Sequence, residues 1–324
     1  MSASAALRLG TRRSPLALFQ AHAVRDAIHA VEPDRAVELV EIVSDGDRDP
    51  RELRVIGERG IFAHALEREL AAGTIDAAVH SSKDLELEAT PGTVLAAWLP
   101  RADPRDALVG SSVELLELPQ GATIATGSAR RMAALRTIRP DLKPVPIRGN
   151  VRGRIDRAAQ RGDAGCMLAM AGLTRLGITD DPSVDVRPIA VDVVVPEAGQ
   201  GAVVVQAPAR SCPRTGFDWS RIDDLATRRT VQLERELTLL LGGGCEHPVG
   251  VHVELDRGVV HAFAAPSPER AGVTISHELL GLELGTLVGA RDAEDADEAA
   301  AWTARELLPA LRAALASSSN EVDA

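Results

Sequence analysis

Short apolar runs alternate with helical periods along the first part of the chain. Leu7–Thr11 and Val37–Val43 have strand patterns, and Ser14 with Pro15 provides the cap and first turn of a helix after the first strand. Phe62–Leu70 places its apolar side chains on one helical face. Two further strands are predicted, at Asp76–His80 and Val94–Leu99. This alternation is typical of an α/β layer.

The same alternation starts again after Asp103-Pro104-Arg105-Asp106, whose turn chemistry indicates a crossover between two domains. Strands are predicted at Ala122–Ala125, Val145–Arg148 and Cys166–Ala169, and helices at Ala129–Ile138 and Val151–Gln160. Ala202–Val205 is an apolar strand that we expect to return to the first domain. Two similar lobes joined by two crossings predict a hinged cleft.

The pattern changes from about Asp223 onward. The predicted elements are a helix at Thr227–Leu241, a hairpin of Val249–Leu255 and Val259–Ala264 around Asp256-Arg257-Gly258, a third strand at Val273–Leu282 and an amphipathic helix at Glu298–Leu315. The whole chain is therefore predicted to be an α/β protein of two lobes plus a small C-terminal α+β domain with a three-stranded antiparallel sheet. The predicted boundaries are 1–102 with 196–218, 103–195, and 222–324.

Composition narrows the function classes. The 324 residues are 45% hydrophobic but only 2% aromatic, which suits α/β cores of Ala, Val, Leu and Ile. No run of about 18 apolar residues and no secretory start are present, so we predict no membrane span and a cytoplasmic location. The net charge of −11 argues against nucleic acid and anionic membranes as partners. Three widely spaced cysteines predict neither a disulfide framework nor a metal site.

The most informative stretch is Leu241-Gly242-Gly243-Gly244-Cys245-Glu246-His247-Pro248. Consecutive glycines let the backbone approach a ligand, and the following proline prevents a helix, so the Cys245 thiol is presented instead of packed. The alternative is a helix C-cap and tight turn with an incidental cysteine.

A cluster of arginines lies between Ser128 and Arg161 and forms a basic island in an acidic protein. Its nine members are at positions 130, 131, 136, 139, 148, 152, 154, 157 and 161. Arginine suits bidentate binding of carboxylates or phosphates, so a small polyanion is expected in the cleft. The alternative, a solvated helix face, applies chiefly to those at 136, 139, 157 and 161. No aromatic residue is available to stack a base, and no P-loop is present, so neither nucleic acid nor a nucleotide is predicted.

Asp84 follows a predicted strand within His80-Ser81-Ser82-Lys83-Asp84. A carboxylate among bound anions is unfavourable unless it stabilises developing positive charge or moves a proton. The alternative is that this segment is only a helix N-cap.

Assembled, these segments resemble the porphobilinogen deaminase (hydroxymethylbilane synthase) family over nearly the whole chain. The similar motifs are Gly10-Thr11-Arg12-Arg13-Ser14-Pro15-Leu16-Ala17-Leu18, Val79-His80-Ser81-Ser82-Lys83-Asp84, Asp103-Pro104-Arg105-Asp106, Thr126-Gly127-Ser128-Ala129-Arg130-Arg131, Arg148-Gly149-Asn150-Val151, Ala171-Gly172-Leu173-Thr174-Arg175-Leu176-Gly177, Gly199-Gln200-Gly201-Ala202 and Gly243-Gly244-Cys245. The resemblance implies lobes like those of type II periplasmic binding proteins, and a monomer. It also implies a transferase that joins four porphobilinogen molecules head to tail with loss of ammonia, and releases hydroxymethylbilane by hydrolysis.

The resemblance further assigns roles to individual residues. It implies a dipyrromethane cofactor held by a thioether to Cys245, and it implies that Asp84 assists the departure of ammonia and stabilises the cationic azafulvene. The cofactor carboxylates would be held by Lys83, Ser81, Thr126, Ser128, Arg130 and Arg131. Substrate or the growing chain would be held by Arg12, Ser14, Arg148, Gly149, Arg154 and Arg175, with Phe62 and Gln20 near the entrance.

The chain departs from the family pattern at several positions. Leu85-Glu86 replaces a common proline, Val55 replaces a lysine while Arg59 keeps a cation, Glu246-His247 follows Cys245, and Arg152 is an extra cation. These changes bear on affinity and rate. The hypothesis from another function class is a non-catalytic small-anion binder, which shares the paired-lobe fold. A third is a degenerate paralogue that turns over poorly.

Overall fold

A computed structural model describes residues 6–43, 61–88, 90–209, 216–242, 248–265 and 267–278, together with Pro309. The chain forms two compact units, Met1–Ala102 with Gly201–Arg228, and Asp103–Gln200 with Arg229–Ala324. The finer three-domain division stays a prediction.

The first unit contains a five-stranded sheet, and two α-helices lie among its described residues. Its strands are β1 (Leu7–Arg12), β2 (Val37–Ile42), β3 (Ala77–Ser81), β4 (Thr93–Trp98) and β10 (Val203–Pro208), and its helices are α1 (Pro15–Val31) and α2 (Ile61–Ala71). The strand order is β2-β1-β3-β10-β4. β1 is parallel to β2 and β3, whereas β10 is antiparallel to β3 and β4. The carboxyl ends of β1 and β3 therefore lie at the same edge.

Helix α1 begins where the sequence predicts. Ser14 is the N-cap, and its hydroxyl accepts a hydrogen bond from the Ala17 backbone N–H, while Pro15 occupies the first turn. The buried face of α1 includes Ala21, Val24 and Ile28, which pack on the sheet core. This packing places the start of α1 at the carboxyl end of β1.

The second unit contains a sheet of the same order. Its strands are β5 (Asp106–Val109), β6 (Thr123–Ala125), β7 (Lys143–Val145), β8 (Gly165–Ala169) and β9 (Val186–Pro188), with helices α3 (Ala129–Ile138), α4 (Val151–Arg161) and α5 (Met170–Arg175). The order is β7-β6-β8-β5-β9. In each sheet, three parallel strands that are consecutive in the chain lie in the order second, first, third: β2-β1-β3 in the first sheet and β7-β6-β8 in the second. The next strand in each sheet, β10 or β5, is antiparallel. The repeated topology confirms the fold class of two periplasmic-binding-protein-like lobes.

A third sheet completes the second unit. It consists of β11 (Val249–Glu254), β12 (Val259–Ala264) and β13 (Val273–Glu278), all antiparallel, and α6 (Leu225–Leu240) precedes it in the chain. Leu233 and Leu237 of α6 form a core with Val251 and Val260. The predicted hairpin is confirmed, and Gly258 supplies the positive φ of its turn. The end of the predicted strand Val273–Leu282 lies outside the described residues, as does the helix predicted at Glu298–Leu315 apart from Pro309.

Two strand predictions need correction, and two strands were not predicted. The predicted strand Val145–Arg148 is instead Lys143–Val145, because Pro146 has no N–H with which to continue the ladder. The buried strand predicted at Asp76–His80 is Ala77–Ser81. The strands that were not predicted are β5, which begins at Asp106, the last residue of the predicted turn, and β9. Among the described residues, no helix has both the length and the apolar character needed to cross a membrane.

Candidate active site

One edge of the first sheet brings together several predicted site residues. Arg12 ends β1, and Ser81 ends the parallel strand β3. Gln20, buried on α1, donates a hydrogen bond from Nε2 to Ser81 Oγ at 2.9 Å. Ser14 caps α1 at this edge. The backbone of Phe62 belongs to α2, and its side chain lies outside the described part of the structure.

Asp84 lies directly beyond β3. Ser82–Asp84 forms one 3-10 turn whose N-cap is Ser81, and Asp84 is the last residue of that turn. The segment therefore does cap a short helix through Ser81, as the alternative supposed, and a role of Asp84 at a ligand stays a prediction. Its side chain is exposed and that of Lys83 is half-buried. The fold thus presents an acid and a cation at the carboxyl end of a buried strand, where open α/β sheets bind their ligands.

His80 lies just before this turn and is buried. Its Nε2 has no hydrogen-bond partner among the described residues. Glu67 accepts hydrogen bonds nearby on α2, from Thr90 Oγ1 at 2.5 Å and Gln206 Nε2 at 3.1 Å. Burial lowers the pKa of His80 to about 4, against the opposing charge of Glu67. The imidazole is therefore neutral at physiological pH.

Acidification should destabilise the protein through His80. The His80 side chain binds a proton near pH 6.5 in the unfolded chain and only near pH 4 in the folded chain. The stability that depends on a neutral His80 is therefore fully present above pH 6.5 and is lost as the pH falls toward 4. Between about pH 7 and about pH 5 the loss is ~2 kcal/mol. We expect urea unfolding at both pH values to show it, and His80→Gln to remove it. The control His22→Gln, at an exposed histidine, should keep the same pH dependence.

The second sheet gathers the anion-binding candidates at one edge. Thr126, fully buried, follows β6, and Ser128 is the N-cap of α3 with its hydroxyl accepting from the Arg131 N–H. Arg148 follows β7 by three residues, and Arg175 ends α5 after β8. Because β6, β7 and β8 are parallel, these residues all follow the carboxyl ends of adjacent strands. Burial lowers the pKa of Arg175.

Gly149 shapes the loop that carries Arg148. Gly149 has φ of +111°, a conformation that favours glycine, and its carbonyl accepts a hydrogen bond from Arg154 Nε at 2.6 Å. Asn150 caps α4 by accepting from the Gly153 N–H at 2.8 Å. Arg157 donates to the Arg148 carbonyl. Arg148 and Arg154 are therefore placed by one structured loop.

Arg130 and Arg131 are almost fully buried, at 4% and 5% exposure, and share one carboxylate. Asp106 Oδ1 accepts from Arg131 Nη2 at 2.7 Å, and Asp106 Oδ2 lies 2.9 Å from Arg130 Nη2. Burial opposes ionisation, yet the two guanidinium charges and hydrogen bonds from Arg131 and Gln200 hold the pKa of Asp106 well below its usual range. The cluster keeps a net positive charge in a buried position.

The other arginines of the island are structural. Arg157 and Arg161 are exposed, as the interpretation of a solvated helix face predicts, whereas Arg136 and Arg139 are partly buried. All four donate to a backbone carbonyl: Arg136 to Pro268, Arg139 to Leu116, Arg157 to Arg148 and Arg161 to Pro146. Arg152 pairs with Asp181 at 3.2 Å on the surface. The island thus separates into buried, loop and surface members.

Glu234 on α6 connects three segments of the second unit. Its Oε2 accepts from the Gly199 N–H at 2.8 Å, and its Oε1 accepts from the Val253 N–H at 3.0 Å and contacts His252 Nδ1 at 3.0 Å. The carboxylate is fully buried. It therefore joins α6 to β11, the two elements that flank residues 243–247.

Of the three cysteines, Cys166 lies in the part of the chain that the structure describes. Cys166 is buried in β8, and burial raises the pKa of its thiol to about 11, so it is unsuited to attack a ligand. Cys245, Glu246 and His247 lie outside the described residues, as do Cys212, Val55 and Arg59. Within the described part of the chain, no group of His, Cys, Asp and Glu side chains could hold a metal ion.

Comparison with known proteins decides the family. Residues 7–212 match the family model "Porphobilinogen deaminase, dipyromethane cofactor binding domain". The chain belongs to the porphobilinogen deaminase family. A porphobilinogen deaminase from Roseiflexus sp. (strain RS-1) is 39% identical over 293 residues, covering 85% of this chain and 95% of that protein. One from Rubrobacter xylanophilus is 44% identical over 270 residues, covering 82% and 86%.

Family membership confirms the expectation from the sequence motifs. The protein is a transferase of tetrapyrrole biosynthesis with hydroxymethylbilane synthase activity and a dipyrromethane cofactor. It disfavours the alternative of a non-catalytic anion binder. Among solved structures, an OxyR2 regulatory domain from Vibrio vulnificus is similar with a TM-score of 0.40 and 14% identity, covering 68% of this chain and 96% of that one.

The sequence analysis missed three buried residues that organise the site. Asp106 was assigned to a crossover turn, Gln200 to a loop ahead of a strand, and Glu234 to a charge-rich helix. Asp106 begins β5, Gln200 lies between two glycines, and Glu234 lies on α6 next to Arg235. The sequence around each residue does not identify its partners.

Proposed function

We propose that the buried arginine pair holds the carboxylates of the dipyrromethane cofactor. The observation that carries this proposal is that Arg130 Nε is buried with no hydrogen-bond partner among the described residues. Thr126 and Ser128 lie beside the pair at the amino end of α3, where backbone N–H groups also favour anions. The donor set fits a ligand rich in carboxylates. Lys83 and Ser81 of the first unit are also proposed to bind cofactor carboxylates.

We assign the attachment point to Cys245. The buried Cys166 thiol is unsuited, and the glycines before Cys245 allow close backbone approach to a ligand. When bound, dipyrromethane supplies the pyrrole to which the first substrate ring is joined. The residues of this chain hold it, orient it and exclude water from its carboxylates.

Asp84 is proposed to act on the substrate itself. Positive charge develops on the porphobilinogen side chain as ammonia leaves, and a nearby carboxylate stabilises that charge and hydrogen-bonds the pyrrole N–H. Lys83, the neighbouring residue in the chain, is half-buried. An exposed carboxylate at a strand end can reach a substrate without rearrangement of the core.

The remaining site residues are proposed to hold the acetate and propionate groups of porphobilinogen. Every ring carries two negative charges. The guanidinium groups proposed to pair with them are those of Arg12, Arg148, Arg154 and Arg175. Ser14 and the Gly149 backbone would add neutral donors. Gln20, fixed by Ser81, and Phe62 are proposed to border the entrance. We further propose that the enzyme works as a cytoplasmic monomer with no nucleic-acid partner, which light scattering after gel filtration tests for the oligomeric state.

Intact mass tests the proposal directly. The purified, denatured protein should exceed its chain mass by two pyrrole units, because a thioether survives denaturation. Cys245→Ser should have the bare chain mass, and Cys166→Ser, the control, should keep the addition. An addition that persists in Cys245→Ser would refute the attachment point. If the parent has the bare mass, incubation with porphobilinogen must produce the addition, or the proposal is wrong.

A further inference from the structure

Asp106 is placed at the ligand-binding edge by an antiparallel strand. It begins β5 and lies opposite Ala169, the last residue of β8. An antiparallel strand brings its amino end to the edge where parallel strands have their carboxyl ends, so an acid meets the arginine pair there. The Asp106 side chain is fully buried. A carboxylate at this position would be expected to compete with the ligand for the two arginines.

The hydrogen bonds indicate a different role. Arg131 donates from Nε and Nη2 to Asp106, at 3.1 and 2.7 Å, and from Nη1 to the Met167 carbonyl at 3.0 Å. Arg130 donates from Nη1 to the Val195 carbonyl at 2.5 Å and pairs with Asp106 through Nη2. Both planar groups are therefore held at more than one point. Such contacts fix orientation more than they neutralise charge.

Gln200 in turn holds Asp106. Its Nε2 donates to Asp106 Oδ1 at 2.9 Å and to the Pro104 carbonyl at 2.7 Å, and the residue is fully buried. Two hydrogen bonds from one amide fix the carboxylate against the backbone just before β5. The neighbouring Gly199 N–H is bound by Glu234. The carboxylate thus has a rigid support that does not depend on any ligand.

We propose that Asp106, braced by Gln200, is a positioning residue that orients Arg130 and Arg131 for the cofactor carboxylates. The proposal rests on the proposed function of the arginine pair. Two guanidinium groups and one carboxylate leave one net positive charge, and Arg130 Nε remains for a ligand oxygen. Preorganised donors of this kind bind a carboxylate without first being ordered, which favours assembly of the cofactor.

The rate of cofactor assembly on apo-protein distinguishes two roles of Asp106: orienting the two arginines, or competing with the cofactor carboxylates for them. Apo-protein from cells that make no porphobilinogen is mixed with a series of porphobilinogen concentrations, and the covalent addition is followed by intact mass. For Asp106→Asn we expect a rate at least about tenfold lower and a raised half-saturating concentration, because the donors are misplaced. If Asp106 merely competed with anions, the substitution would add positive charge and lower the half-saturating concentration, which overturns the proposal.

Two further variants keep the test independent of folding. Gln200→Ala removes both amide hydrogen bonds without changing the charge, and we expect about threefold slower assembly. Asp76→Asn is the structural control, because Asp76 is also buried and hydrogen-bonded to an arginine, Arg8, in the first sheet. It should reduce the folded fraction and the final amplitude without raising the half-saturating concentration. Equal half-saturation in parent, Asp106→Asn and Gln200→Ala would also overturn the proposal.

Failure of the underlying assignment has a separate signature. Arg131→Ala should prevent assembly if the arginine pair holds the cofactor. If Arg131→Ala assembles the cofactor like the parent, the proposed function of the pair is wrong. If Arg131→Ala fails and Asp106→Asn behaves like the parent, only the positioning role is wrong.

Discussion

Replacement of Asp84 by asparagine should lower kcat by about 10³-fold while the protein stays folded and retains its cofactor. Asparagine keeps the size of the side chain but removes the negative charge that stabilises the departing-ammonia transition state. The expected loss in kcat exceeds the change in KM, because that charge interaction is strongest in the transition state. Asp84 is exposed at the end of a 3-10 turn, so the substitution does not change the packing of the buried core.

Single-turnover consumption of porphobilinogen by the holoenzyme measures this loss. Intact mass of the same sample shows whether the cofactor is present, so a loss of rate cannot be confused with a loss of cofactor. Glu88→Gln is the matched control, since it removes one carboxylate charge from an exposed position four residues along the chain. It should retain the parental rate. Activity of Asp84→Asn within a factor of about three of the parent would show that another group stabilises the charge.

Glu234→Ala should destabilise the second unit by about 3–5 kcal/mol. Removal of this carboxylate leaves the N–H groups of Gly199 and Val253 and the ring of His252 without the acceptor that they share. All of this lies in a buried environment, where an unsatisfied donor retains its full desolvation cost. The loss should appear as a lower midpoint in urea unfolding with an unchanged slope.

Glu236→Ala provides the matched control on the same helix. Burial raises the pKa of Glu236, so its ionised form is disfavoured where it stands, and its removal should change stability by less than about 1 kcal/mol. Both variants lose the same side chain from α6, and they differ in what the carboxylate binds. Equal effects of the two substitutions would mean that the Glu234 hydrogen bonds add no net stability.

Most of the fold was predictable because its elements depend on local patterns. Ser14 and Pro15 begin α1, and Asp256-Arg257-Gly258 turns the third sheet, as their chemistry requires. The errors lie where local pattern is weak. The four-residue β5 has no alternation to mark it, and Pro146 ends β7 earlier than its apolar neighbours suggest. Short strands are defined by their partners, which a sequence does not name.

The candidate site was predictable to a different degree. Motif resemblance named Asp84, Arg130 and Arg131, and the family comparison supports the chemistry to which they were assigned. The resemblance did not predict that Arg130 and Arg131 are buried and both pair with the Asp106 carboxylate, because Asp106 is separated from them by more than twenty residues of chain. The arginines of α3 and α4 that bind carbonyls were also indistinguishable in sequence from those proposed to hold a ligand.

The sequence by itself determined the alternation of strands and helices through local periodicity. Its motifs, in their order, carry the resemblance that implies the family, the reaction and the cofactor. Only the tertiary structure decided which charges compensate one another. A buried carboxylate is stable in its ionised form only if hydrogen-bond donors lie within about 3 Å of it, and the order of the strands decides which donors do. The antiparallel β5 brings Asp106 to Arg130 and Arg131, and α6 brings Glu234 to Gly199 and β11. Those pairings exist only once the sheets are assembled.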